Sequence, residues 1–142
     1  MKILALDLGD KWVGSAIAHP LGITCSPYQT VELKELTAFL TKTLSSENIG
    51  TVVVGYPKTV STGGESEQTR RVVKLKEELE RQFDVIGGHK LEWVLWDERL
   101  SSKRASEVQH HRHDAESKKK SHSVAAAFIL QSYLDHLAFK RS

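Results

Sequence analysis

The sequence predicts an α/β fold: a five-stranded mixed sheet with helices on both faces. Three features lead there. Apolar runs at residues 2–8, 12–19 and 23–30 are joined by links too short to cross over, so they must form an antiparallel meander. From residue 31 onward, apolar residues at helical spacing alternate with short apolar runs, the pattern of βα units. Finally, the first run ends in a charged residue, Asp7, followed by Gly9. A carboxylate in such a strand is costly unless something binds it, and a metal ion is the expected partner.

The elements follow in order. In the first strand, alternation sets Ile3, Ala5 and Asp7 on one face and Leu4, Leu6 and Leu8 on the other. Gly9-Asp10-Lys11 and Pro20-Leu21-Gly22 are turn signals. Residues 31–47 predict a helix, with Leu33, Leu36, Leu40 and Leu44 as its stripe and Gly50 as its C-terminal cap. Residues 51–55 predict a buried strand of the parallel kind, and residues 56–64 a loop. A second helix over 65–83 presents Val72, Val73, Leu75, Leu79 and Phe83. Gly87-Gly88 breaks the chain before a fifth strand at 91–96. Ser101 or Ser102 can cap a helix reaching about His111. Residues 112–121 carry no apolar anchor and are expected to form a mobile loop. The last helix is expected to start at Ser121 or His122, with Ala126, Ile129, Leu130, Tyr133, Leu134 and Leu137 as its stripe.

The 142 residues suit one domain, 1–142, and a 39% hydrophobic, 27% charged composition can bury a real core. A net charge of +2 names no partner by itself. One cysteine, Cys25, excludes an internal disulfide and a multi-cysteine zinc site. No apolar run approaches a membrane span and no cleavage signal follows Lys2, so a cytoplasmic protein without a membrane partner is expected.

Ligands of open α/β sheets bind beyond the carboxyl ends of the strands. Asp7 ends the first strand, and Asp97 and Glu98 end the fifth. Adjacent strand residues face opposite ways, so one of Asp97 and Glu98 should turn toward Asp7, and periodicity does not say which. Clustered carboxylates favour a hard divalent ion, Mg²⁺ or Mn²⁺. A pair of such ions about 4 Å apart could activate water and stabilise the leaving oxygen of a phosphodiester. Taken singly, Asp7 also fits a turn-forming residue, and Asp97-Glu98 fits a helix N-terminal acid pair. His122 shares the sheet-facing stripe of the last helix, where Ala125 to Ala127 permit close approach. It could ligate a metal or move a proton, although spacing alone fits a satisfied helix-terminal histidine.

With these residues assembled, the chain resembles the YqgF/RuvX-type family, named both for pre-16S rRNA nuclease and for Holliday-junction resolvase activity, with a ribonuclease H-like fold. The resemblance is carried by Leu6-Asp7-Leu8-Gly9 with Lys11, Val13 and Gly14; Pro20-Leu21-Gly22; Val53-Val54-Gly55-Tyr56-Pro57; Asp97-Glu98-Arg99-Leu100-Ser101; and Ala125-Ala126 with Ile129-Leu130-Gln131-Ser132-Tyr133-Leu134. It implies a metal-dependent nuclease using Mg²⁺ or Mn²⁺, with Asp7 and Glu98 as catalytic ligands. Where the family usually carries Asp, three residues before its Ala-Ala pair, this chain has His122, which should weaken Mg²⁺ binding and favour softer ions. Trp12 replaces a basic residue, and the loop after Pro57 departs from the family pattern.

Lys11, Arg99, Lys103, Arg104, Lys118, Lys119 and Lys120 surround the expected cleft as candidate phosphate contacts, and Arg70, Arg71 and Lys74 begin the second helix. Solvated helix faces explain Glu77-Glu78 and Glu80 better than they explain the lysine run. His110, His111 and His113 lack the spacing of a metal site, Trp93 and Trp96 suit packing, and Cys25 suits an inert thiol. The expected function is hydrolysis of phosphodiesters in structured nucleic acid, with processing of the pre-16S rRNA 5′ end foremost. A Holliday-junction-type DNA resolvase and a non-catalytic nucleic-acid-binding module are the alternatives, and a nucleotide phosphotransferase ranks last. Monomer and homodimer are equally compatible with the sequence.

Overall fold

A computed structural model describes residues 1–19, 21–22, 24–56, 67–97 and 115–141, with side chains described from 122 to 140 in the last segment. Three antiparallel strands come first: β1 (Lys2–Leu8), β2 (Trp12–Ala18) and β3 (Ser26–Glu32). A 3₁₀ turn (Leu33–Glu35) leads into α1 (Leu36–Ser46), followed by β4 (Ile49–Tyr56) and α2 (Glu67–Gln82). A small hairpin of β5 (Val85–Ile86) and β6 (His89–Lys90) precedes β7 (Glu92–Asp97), and α3 (Ala115–Arg141) follows the undescribed 98–114.

The five-stranded sheet runs β3-β2-β1-β4-β7, antiparallel through the meander and parallel from β1 through β4 to β7. This is the mixed sheet that the short links and the later βα rhythm predict. The alternation in β1 divides two cores. Leu4, Leu6 and Leu8 pack with α1 and α2 residues such as Leu40, Leu44, Val72 and Leu79. Ile3 and Ala5 pack with Ala16, Val53 and the α3 stripe of Ala126, Ile129, Leu130, Tyr133 and Leu134. The first core is rich in leucine. The second meets the sheet through alanines and glycines, so α3 lies close.

Several expected boundaries move. The third strand starts at Ser26, not 23, and runs through Glu32, because Val31 and Glu32 pair with Val13 and Trp12 on β2. The left-handed residue after α1 is Asn48, with φ of 55°, and not Gly50, which lies inside β4. Asparagine tolerates this conformation because its short polar side chain can bond locally. Gly87 and Gly88, with φ of 58° and 86°, do more than break the chain: they form the hairpin turn between β5 and β6.

The largest correction is at α3. Residues 115–121, expected within a loop, are helical, and the helix begins at Ala115 and not at Ser121 or His122. Alanine, glutamate and lysine are strong helix formers, and a segment continuous with a packed helix needs no apolar stripe of its own. The expected helix from Ser101 or Ser102 to His111, the loop after Tyr56 and the turn residue Pro20 fall outside the described residues.

Candidate active site

Asp7 stands near the carboxyl end of β1, in the centre of the sheet. The register sets it opposite Gly14 on the β2 side and opposite Gly55 on the β4 side. Neither neighbour contributes a side chain, so the carboxylate lies in a trough whose walls at that level are backbone. Gly55 pairs in turn with Trp96 on β7.

Helix α3 lies across this trough. A Cβ on Gly14 would collide with the carbonyl of His122, and a Cβ on Gly55 would collide with the Ile129 side chain. A Cβ on Gly9 would stand 3.1 Å from His122 Cε1. The glycines therefore let the helix backbone come down onto the strands, which is what brings His122 to Asp7. Glycine in a strand interior marks such close approach.

The His122 Nδ1 to Asp7 Oδ2 distance is 3.4 Å. That is longer than a charge-assisted hydrogen bond of about 2.7–2.9 Å. It is near the spacing of two donors on one ion, since metal–ligand bonds of about 2.1 Å place neighbouring ligands about 3 Å apart. The side chains are 17% exposed at Asp7 and 29% at His122, so both are sheltered yet reachable. An oxygen anion and an imidazole nitrogen on this scale can share a proton or fit as two of the donors to a divalent cation.

Asp97 is on the other face. It pairs with Tyr56, which packs in the α1/α2 core, while its predecessor Trp96 packs in the α3 core. Glu98 lies outside the described residues, as do Arg99, Lys103 and Arg104. Lys118, Lys119 and Lys120 belong to the first turns of α3, with their side chains outside the described set. Lys11 is exposed in the β1–β2 turn, with Nζ 5.7 Å from the centre of the Trp12 ring. Among the described residues, no group of three or more His, Cys, Asp or Glu side chains gathers to hold a metal.

The other residues weighed from sequence have structural settings. Trp93 is buried, and its Nε1 donates to the Phe83 carbonyl at 3.0 Å. Trp96 Nε1 donates to Ser132 Oγ at 3.1 Å, and its ring meets Tyr133 edge-on. Cys25 Sγ donates to the Ala127 carbonyl at 3.1 Å, and burial pushes its thiol pKa up. His110, His111 and His113 lie outside the described residues. No helix among the described residues is long and apolar enough to cross a membrane.

The fold is similar to that of several solved structures. The fowlpox virus resolvase, solved with its substrate Holliday junction DNA, superposes with a TM-score of 0.55 over 96% of this chain and 99% of its own, at 12% identity. RuvC of T. thermophilus in complex with a Holliday junction substrate gives 0.55 over 93% and 92%, at 11% identity. At such identities the likeness is one of fold, the ribonuclease H-like class. Sequence goes further. Residues 1–136 match the profile of the RuvX family, described as Holliday junction resolvase, and the chain belongs to that family. A Caldicellulosiruptor bescii protein named "Putative pre-16S rRNA nuclease" is 38% identical over 139 residues, covering 95% of this chain and 96% of its own.

Proposed function

We propose that the protein is a single-domain, metal-dependent nuclease that hydrolyses phosphodiesters of structured nucleic acid, acting in the cytoplasm on the 5′ end of pre-16S rRNA. Membership of the RuvX family supports hydrolysis of nucleic acid, and the pre-16S rRNA nuclease name of the relative supports the substrate. The observation that carries the reading is the Asp7–His122 pair, 3.4 Å apart over a glycine trough at the carboxyl edge of the sheet. A sheet edge is where such folds bind ligands. The glycines on β2 and β4 leave that space to α3, which seats His122 beside Asp7.

Asp7 and His122 would hold Mg²⁺ or Mn²⁺ together with Glu98. The position of Asp97 on the opposite face supports Glu98 as the acid of that pair which serves the site. Such an ion supplies an activated water and neutralises charge on the leaving oxygen. Asp7 provides the fixed negative charge that keeps the cation at the strand end. His122 would offer an imidazole nitrogen donor in place of a carboxylate and could move a proton. Lys11, Arg99, Lys103, Arg104, Lys118, Lys119 and Lys120 would contact phosphates and position the substrate.

Mn²⁺ titration by calorimetry tests the site. Wild-type protein should bind, and Asp7→Asn should abolish the heat while leaving the melting temperature intact. Equal Mn²⁺ binding by both proteins would remove Asp7 from the site. The family description favours a second reading, cleavage of four-way DNA junctions by the same residues. Side-by-side digestion of precursor rRNA and a four-way junction decides between the two.

A further inference from the structure

Arg71 lies on α2, on the face of the sheet opposite α3, yet it reaches the end of the strand that carries Asp7. Its Nη2 donates to the Leu8 carbonyl at 3.3 Å and lies 3.3 Å from Asp10 Oδ1. Leu8 is the residue after Asp7, and Asp10 is in the turn that follows. Both contacts use one nitrogen of the guanidinium. Among the described residues, Nη1 and Nε are not engaged. A guanidinium presents five N–H donors in a planar fork suited to two oxygens of one phosphate.

The two contacts differ in kind. The Leu8 carbonyl is fixed in the sheet and orients the guanidinium. Asp10 is 88% exposed and Arg71 33% exposed, so their ion pair is a solvent-facing one of the weak class. A weak pair with a carboxylate is easily exchanged for a pair with another oxyanion. Arg70 and Lys74 are exposed on the same half of α2.

We infer that Arg71 is a phosphate-binding residue beside the Asp7 site, held ready in the free protein by Asp10, whose carboxylate stands where a nucleic-acid phosphate binds. The inference rests on the nucleic-acid function proposed above and assigns it a contact on the α2 side of the sheet. Binding exchanges the Asp10 carboxylate for a phosphate, while the Leu8 carbonyl keeps the guanidinium aimed.

Fluorescence anisotropy in EDTA, where no cleavage intervenes, tests this with a fluorescein-labelled four-way DNA junction and a labelled RNA hairpin across a salt series. In Arg71→Gln, the slope of log affinity against log salt should fall by about 0.7–0.9, the amount for one lost phosphate contact. Arg71→Lys should restore most of the slope. Asp10→Asn should bind about two- to five-fold more tightly at low salt, the range of a weak surface pair, with an unchanged slope. A purely structural Arg71 would lower the melting temperature and the affinity of Arg71→Gln without altering its slope, and that result overturns the inference. Weaker binding by Asp10→Asn overturns it as well. If wild-type protein shows no salt-dependent binding to either probe, the nucleic-acid reading itself fails, and the inference with it.

Discussion

Asp7 and His122 come from opposite ends of the chain and meet 3.4 Å apart at the proposed site. Replacing Asp7 by Asn keeps the shape and removes the charge, so cleavage should fall by at least about 100-fold, the scale of losing a group used in the transition state. Nucleic-acid affinity should hold, which a binding assay beside the cleavage assay will show. His122→Asp supplies the anion that the family usually carries there. Activity with Mg²⁺ relative to Mn²⁺ should then rise, by on the order of ten-fold, since a carboxylate suits the harder ion. An unchanged metal preference would mean that His122 does not touch the ion. Asp7 was legible in the sequence because a charge in an apolar strand demands a reason. His122 was legible as a position on the helix stripe. Their 3.4 Å meeting was not, because it depends on the height of α3 above the sheet. The reach of Arg71 to the Leu8 carbonyl had no sequence signal either, since it spans 63 positions and crosses the sheet edge.

At the scale of elements, the contact of α3 with β2 and β4 brings His122 to Asp7. Gly14 and Gly55 are the residues that allow it, one beneath the His122 backbone and one beneath Ile129. Gly14→Ala should destabilise the fold by roughly 1–3 kcal/mol, as overpacking does, because the atom in the way is backbone and cannot swing aside. Chemical denaturation measures the loss. Cleavage should fall further than stability explains, because lifting α3 moves His122 off Asp7. The sequence shows both glycines as motif letters, but only strand register sets them on either side of Asp7. Periodicity found the packed part of α3 and failed on residues 115–121, where no apolar side chain reports helical phase and propensity alone carries the signal. The end of α1 shows the same limit: Gly50 looked like the cap, but Asn48 takes the left-handed turn and frees Gly50 for β4.

The whole molecule is a sheet filled on both faces, which the alternation in β1 announces. Leu4 and Leu130 are fully buried, one in each core. Alanine at either should cost about 2–5 kcal/mol, read from urea midpoints. Cys25 ties β3's approach to α3 through its bond to the Ala127 carbonyl. Burial raises its thiol pKa, so the native protein holds the proton more tightly than the unfolded chain. That contribution to stability is complete below the unfolded thiol's pKa and is lost as pH rises through the folded value. Iodoacetamide should therefore modify native Cys25 more slowly than the denatured chain at mildly alkaline pH, and the two rates should converge only above the native value. The order of strands was legible for the meander, where short links leave no choice. The insertion of β4 between β1 and β7 was not, because parallel strands can be ordered in more than one way. The most direct measurement is cleavage of a precursor rRNA carrying its 5′ extension and of a four-way DNA junction, in Mn²⁺, by wild-type protein and by Asp7→Asn. Cleavage of at least one substrate by the wild type, stopped by EDTA and lost in Asp7→Asn, is the expected result. Cleavage that survives in Asp7→Asn, or no cleavage of either substrate in any divalent ion, would contradict the account.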